Sequence, residues 1–258
     1  MKTTVIIPTF NEAENLPRLV SAIFSLPGEL SVLIVDDNSP DGTGQIADEL
    51  AQANPGRVQA LHRPGKLGLR TAYLSGFRVA LDLGAEAIIQ MDADFSHDPL
   101  KIVELQQMLD SCDVVFGSRY VSGGSVDESW PLWRKWLSAF GNLYARTILG
   151  LPLHDMTTGY RIWRREALFR MPLGRIDASG YVFLVEMAYM AWCLGYRIGE
   201  VPIHFVERRA GKSKMSLRIQ MEAAVQVWRV RWAFRDLRVK GAAARMALAS
   251  GGGRPHQA

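Results

Sequence analysis

Short, continuous apolar runs alternate with helical patterns through the first half of this chain, and that alternation constrains the fold more than any other feature. Thr4 to Ile7 reads as a strand ended by Pro8, followed by a helix over Ala13 to Phe24. Val32 to Val35, Val58 to Leu61, Ala87 to Met91 and Val114 to Phe116 read as four more strands. Helices are expected between them, from about Gly44 to Ala53, about Thr71 to Leu81, and Asp98 to Leu109. Uninterrupted apolar strands separated by helices mean a mainly parallel sheet covered on both faces. Sheets of that kind bind ligands at the carboxyl ends of their strands. Polar residues crowd at those ends here: Pro8 to Glu12, Asp36 to Ser39, Asp92 to Asp94, and Gly117 to Arg119.

Composition narrows the class. Over 258 residues, 48% are hydrophobic and 22% charged, which excludes a disordered or fibrous chain. The net charge of +4 suits phosphate-bearing partners without choosing among them. Cys112 and Cys193 are too few for a disulfide scaffold and read as buried reduced thiols. The first apolar run holds Pro8 and ends at Asn11 and Glu12, unlike a signal peptide. No run is long enough to span a bilayer, since Tyr181 to Gly199 is interrupted by Glu186 and Arg197.

After Arg119 the texture changes. A Gly/Ser-rich loop over Val121 to Ser129 precedes a Trp-rich helix from Pro131 to about Leu149. A loop over His154 to Arg161, a helix around Val182 to Leu194 and a strand over Arg197 to Val201 follow. A basic loop then leads to a long helix from about Ser216 to Val239. The chain reads as one domain over residues 1–240 with a disordered Ala/Gly-rich tail over 241–258.

Asp92 and Asp94 directly follow a buried strand. Carboxylates so placed can share a hard divalent cation with phosphate oxygens; an Asp-x-Asp alone is a weak signal, since one Asp can simply cap the helix starting near Asp98, and its position after a parallel strand strengthens it. Asp37 ends the second strand, where an acid accepts hydrogen bonds from a ribose or base edge. The neighbouring Asn38 to Gly42 is turn chemistry. Neither a Gly-x-Gly-x-x-Gly after the first strand nor a Gly-x-x-x-x-Gly-Lys-Ser/Thr is present, which argues against a dinucleotide oxidoreductase and a P-loop nucleotidase.

The Trp-rich helix has two sides. Arg134, Ser138, Asn142 and Arg146 recur every four residues as a polar row, opposite Trp133, Trp136, Leu137, Phe140, Leu143 and Tyr144. From His204 to Lys240 there are ten Lys/Arg against three Asp/Glu. In the last helix Trp228 and Trp232 share one face, and Val227, Val230, Phe234 and Leu237 another. Two apolar faces on one helix fit a contact with the domain on one side and with lipid or a partner helix on the other. No nucleic-acid-binding motif accompanies the charge.

The strings IIPTFNEAENL, VDDNSPDGT, GLRTAYLSGF, MDADFSHDP, GSRY, DMTTGYR and FVERRAGKSK, in this order, resemble the dolichol-phosphate (polyprenol-monophosphate) mannosyltransferases. These are inverting family 2 glycosyltransferases of the Rossmann-like GT-A fold, and the similarity covers roughly Lys2 to Ile219. DADFSHDP is the most diagnostic string, because relatives that use UDP-glucose usually carry Gln-Asp-Pro after the Asp-x-Asp. The resemblance implies donor binding by Pro8, Phe10, Glu12, Val35, Asp37, Asp92, Ala93 and Asp94. Asp92 and Asp94 would hold Mg²⁺ or Mn²⁺. It implies acceptor-phosphate binding by Arg119, Arg134 and Ser138, and a basic pair, Arg208 and Lys214, over the donor. Asp94, Arg119, Arg134, Arg208 and Lys214 are the expected catalytic set. Phe10 departs from the usual Tyr, and Arg70 stands where relatives often have Gly. Asp155 is read as orienting the sugar or its own loop.

The expected activity is transfer of mannose from GDP-mannose to a polyprenyl phosphate, giving polyprenyl phosphate mannose for glycan or lipoglycan synthesis. The enzyme would lie peripherally on the cytoplasmic face of a membrane, with or without an integral-membrane partner, and would bind no nucleic acid. The competing readings are a UDP-glucose-dependent transferase with the same acceptor, and a non-catalytic nucleotide-sugar-binding subunit of a membrane complex.

Overall fold

The computed structural model describes residues 1–178, 180, 182–207 and 217–238. Arg208, Lys214 and the 241–258 tail lie outside the described residues. Strands β1 (Thr3–Thr9), β2 (Leu30–Asp36), β3 (Val58–His62), β4 (Ala87–Gln90), β5 (Val114–Ser118), β7 (Arg161–Arg164) and β8 (Ile198–Pro202) form one sheet in the order β3-β2-β1-β4-β7-β5-β8. β6 (Ser125–Val126) and β9 (His204–Phe205) pair separately. Every neighbouring pair in the large sheet is parallel except those made by β7, which is antiparallel to β4 and β5.

Successive strand residues serve opposite faces, so a continuous apolar run fills two cores at once. Val5, Ile7, Val32, Ile34 and Ile89 pack beneath α1 (Leu16–Phe24), α2 (Thr43–Ala53) and α4 (Lys101–Leu109). Ile6, Leu33, Val35, Ile88 and Phe116 pack on the other face with α3 (Leu69–Asp82), α6 (Arg165–Arg170) and α7 (Val182–Cys193). Helices α5 (Leu132–Leu149) and α8 (Leu217–Ala233) join that second layer through Ala145, Leu149, Val227 and Val230. α7 is apolar all round because it is enclosed, and its Glu186 accepts a hydrogen bond from the Ala178 N–H at 2.9 Å. Among the described residues no helix is long and apolar enough to cross a membrane.

Four expectations are corrected. Pro8 does not end β1, which runs to Thr9. Ile6 O accepts from Met91 N on the β4 side, so Pro8, two residues on, turns its hydrogen-free nitrogen to that same side, where β4 has already ended. The stretch after the His154 loop is a strand, β7, and not simply the end of a loop. The last long helix runs from Leu217 to Ala233 and gives way to a turn at Phe234 before a short helical stretch to Arg238. Cys193 is buried, but Cys112 is only half-buried.

Candidate active site

The carboxyl ends of β1, β2, β4 and β5 lie along one sheet edge, and the loop entering β7 joins them. Among the described residues, three non-glycines have left-handed backbone: Asn11 (φ 61°), Asn38 (φ 57°) and Phe95 (φ 59°). They follow β1, β2 and β4 respectively. Asparagine tolerates that region, whereas Phe95 is strained by roughly 1–3 kcal/mol. The one strained residue of the three, Phe95, therefore sits in the Asp-x-Asp loop.

Pro8, Phe10 and Glu12 lie in or just after β1, beside Val35 of β2 and Asp37 directly after it, through the pairing of Pro8 with Val35 and of Thr9 with Asp36. Asp37 is buried against Arg63, whose Nε lies 2.8 Å from its Oδ1. Arg63 also donates to Thr71 Oγ1 at 2.9 Å. Burial raises the Asp37 carboxyl above the usual aspartate range, while Arg63, the Leu67 amide and Lys66 pull against that rise. The Lys66 ammonium sits 3.7 Å from the Phe10 ring centroid, so aromatic and cation already face each other in this pocket.

Asp92, Ala93 and Asp94 follow β4. Asp94 Oδ1 accepts from Ser96 N (3.0 Å) and Ser96 Oγ (2.6 Å), which fixes a tight turn. The Asp92 N–H donates to His97 Nδ1 at 3.2 Å. His97 is buried, stacked on Tyr160 and edge-on to Phe205, and so pins the Asp-x-Asp loop to β7 and β9. Neither carboxylate caps α4, whose N-cap is Leu100 without a side-chain cap; Asp98 Oδ1 receives the Leu100 N–H just before the helix. Among the described residues no cluster of three or more His, Cys, Asp or Glu is placed to hold a metal. Two half-buried carboxylates fit Mg²⁺ or Mn²⁺ in the manner of sites completed by substrate phosphates and water, and do not form an all-protein cage.

Arg119 follows β5 and is locked. Its Nε and Nη2 donate to both oxygens of Asp155 at 2.7 and 2.8 Å, and Nη2 reaches Thr157 Oγ1 at 2.7 Å. Gly124 backs this segment closely, since a Cβ there would stand 2.5 Å from Ser118 O. The Arg119 side chain is 8% exposed and that of Asp155 0%. Burial opposes the Asp155 charge, but Arg119 and Thr157 more than offset it and hold the carboxyl below its usual range. With both oxygens committed, Asp155 orients Arg119 and its own loop and is not placed as a proton acceptor.

The polar row of α5 faces this site. Tyr120 OH donates to Ser138 Oγ at 2.7 Å, Asn142 Nδ2 donates to Thr157 Oγ1 at 3.1 Å, and Asn142 Oδ1 accepts from Met156 N at 2.9 Å. Arg134 Nη1 binds both carboxylate oxygens of Glu207, at 2.6 and 2.8 Å. The apolar side of α5 points outward, with Trp133 63% and Trp136 75% exposed beside open Leu132, Phe140 and Leu143. α8 extends that surface through Val225, Trp228 and Trp232, tied to α5 by Trp228 Nε1 donating to Tyr144 OH at 2.9 Å. Val227 and Val230 on its other face are buried, as are Phe234 and Leu237 in the turn and short helical stretch that follow.

Sequence reasoning missed Arg63, His97 and Glu207 as partners of site residues. Only Glu207 left a local trace, as an acid directly before the expected basic pair. Arg70 gains an explanation: its Nη1 donates to Ile176 O at 2.8 Å, bracing α3 against the segment leading into α7.

The seven-stranded, mainly parallel sheet with carboxylates at its strand ends is the architecture of a GT-A glycosyltransferase, and the comparisons with known proteins agree. The chain belongs to glycosyl transferase family 2, whose model matches residues 4–170. It is 46% identical over 233 residues to the polyprenol monophosphomannose synthase of Mycolicibacterium smegmatis, covering 89% of this chain and 88% of that protein. It is 45% identical over 248 residues to the undecaprenyl-phosphate mannosyltransferase of Micrococcus luteus, covering 96% and 100%. Among solved structures it resembles glucosyl-3-phosphoglycerate synthase from Mycobacterium tuberculosis, crystallised with Mn²⁺, UDP and glucosyl-3-phosphoglycerate, at a TM-score of 0.59 and 16% identity over 90% of this chain and 79% of that one. At that identity the likeness is one of fold.

Proposed function

We propose that this glycosyltransferase moves mannose from GDP-mannose to a polyprenyl phosphate with inversion, using Mg²⁺ or Mn²⁺, on the cytoplasmic face of a membrane. The observation that carries the reading is the two-sidedness of α5: its polar row enters a strand-end site while its aromatic side stands open to the surroundings. A site so arranged suits a water-soluble donor and a lipid-borne acceptor together. The names borne by the two relatives supply the sugar and the acceptor class.

The chemistry needs little from a proton acceptor. A phosphate monoester has a second pKa near about 6, so its attacking oxygen is largely anionic at neutral pH. Asp37, held by Arg63, and the Phe10 face hold the nucleoside. Asp92 and Asp94 hold the cation, which when bound neutralises charge on the diphosphate. Arg134 and Ser138 hold the acceptor phosphate, and Arg119 with Asp155 keeps the floor of the site rigid. Calorimetric titration with Mn²⁺ tests the donor: GDP-mannose should bind more tightly than UDP-glucose, and the reverse order would favour the glucosyl reading.

The outward aromatic surface is the membrane contact in this account, with the exposed Arg229, Arg235 and Arg238 beside it. Replacing Trp133, Trp136 and Trp232 together by Ser should weaken binding to phosphatidylglycerol vesicles by at least about a hundredfold, since each buried ring contributes on the order of 1.5 kcal/mol. Unchanged co-sedimentation of the triple variant would remove the membrane assignment from this surface.

A further inference from the structure

Arg134 is occupied from within. The Glu207 carboxylate sits on its Nη1 at 2.6 and 2.8 Å, and the guanidinium lies over the Trp130 ring at 3.8 Å. A carboxylate thus stands where the proposed function seats the acceptor phosphate.

Compared with the Arg119–Asp155 pair, this ion pair is the exchangeable one. The Arg134 and Glu207 side chains are 26% and 36% exposed, so separating them costs little, whereas the enclosed Arg119–Asp155 pair resists separation. The Glu207 main chain is anchored: its N–H donates to Asp127 Oδ2 at 2.9 Å, and the Asp127 N–H donates to Phe205 O at 2.9 Å. Phe205 is in turn wedged against His97 and Trp130. Only the Glu207 side chain has to turn for Arg134 to change partner.

We propose that Glu207 is a positioning residue that acts through Arg134 as an internal competitor for phosphate and loosens the hold of this arginine on substrate and product alike. The inference rests on the proposed acceptor site. A polyprenyl phosphate monoester carries close to two negative charges at neutral pH and displaces a single carboxylate charge from Arg134. Glycosyl transfer to the phosphate oxygen forms the sugar–phosphate bond, breaks the bond from sugar to nucleoside diphosphate, and leaves a phosphodiester with one negative charge. Glu207 competes with that diester on equal terms, returns to Arg134 and promotes product release.

The test uses the full chain with a short-chain polyprenyl phosphate and saturating GDP-mannose. Glu207→Gln removes the charge and keeps the size. It should lower the apparent KM for polyprenyl phosphate about three- to fivefold, as loss of an exposed competing charge predicts. It should also tighten inhibition by added polyprenyl phosphate mannose at least as much, and leave the KM for GDP-mannose and the thermal melt at wild-type values. Arg134→Ala, measured beside it, should raise the acceptor KM. If Arg134→Ala raises that KM while Glu207→Gln leaves the acceptor KM and product inhibition unchanged, or weakens binding of both, the competitor role is wrong and the acceptor site stands. If Arg134→Ala leaves the acceptor KM unchanged, the acceptor site itself is misplaced and the inference falls with it.

Discussion

Asp94→Ala is expected to lower mannosyl transfer by at least about a hundredfold, the usual scale for losing one group that stabilises developing charge. Asp94 lies beyond the end of β4, half-buried, and its Oδ1 receives Ser96 N and Oγ. The loop stays anchored by buried His97, which stacks on Tyr160, so the melting temperature should stay near wild type while activity falls. Chelation of divalent cations should bring the wild-type enzyme down to a similar rate. Full turnover by chelator-treated Asp94→Ala protein would contradict the proposed role of the carboxylate pair.

Asp155→Ala should destabilise the fold by about 3–5 kcal/mol, because it strands the Arg119 guanidinium, which is almost wholly enclosed, without its counter-charge. Asp155→Asn separates charge from shape and should lose most of the same amount. The sign of the pH dependence follows from the lowered carboxyl. Its contribution is fully present above the unfolded value of about 3.9 and is lost as pH falls through the lower folded value. Urea titrations at neutral and acid pH should therefore show the wild-type advantage over Asp155→Asn shrinking in acid. An Asn variant as stable as wild type at neutral pH would mean that the pair contributes nothing net.

The parts of the fold that the sequence reveals are those buried on both sides. β1, β2, β4 and β5 are legible as unbroken apolar runs because each residue meets one of two cores. β7 is hidden because its buried face includes Arg161. That side chain is wholly enclosed and donates to the carbonyls of Thr158, Leu184 and Met156, which burial accompanies by holding its pKa down to about 9. Its neighbour Trp163 spends its indole N–H on Gln90 Oε1 at 2.7 Å. Neither partner can be read from local pattern, so the strand passes for the edge of a loop.

The candidate site divides in the same way. Strand-end carboxylates and the helical row of Arg134 and Ser138 follow from local spacing. Their partners do not: Arg63 is 26 residues from Asp37, Asp155 is 36 from Arg119, and Glu207 is 73 from Arg134. The first two pairs exist because the sheet order brings distant strand ends to one edge, and the third because the segment after β9 meets α5. The α5 surface is an intermediate case. Periodicity separates its two sides, but only packing decides that the polar row turns inward and the tryptophans outward.

The most direct measurement is transfer of radiolabelled sugar to short-chain polyprenyl phosphate by the purified chain, run in parallel with GDP-mannose and UDP-glucose in the presence of Mn²⁺. The account predicts a lipid-extractable mannosyl product from GDP-mannose, absent without the phosphate on the polyprenol, and little or none from UDP-glucose. Efficient transfer from UDP-glucose, or equal transfer to unphosphorylated polyprenol, would contradict it.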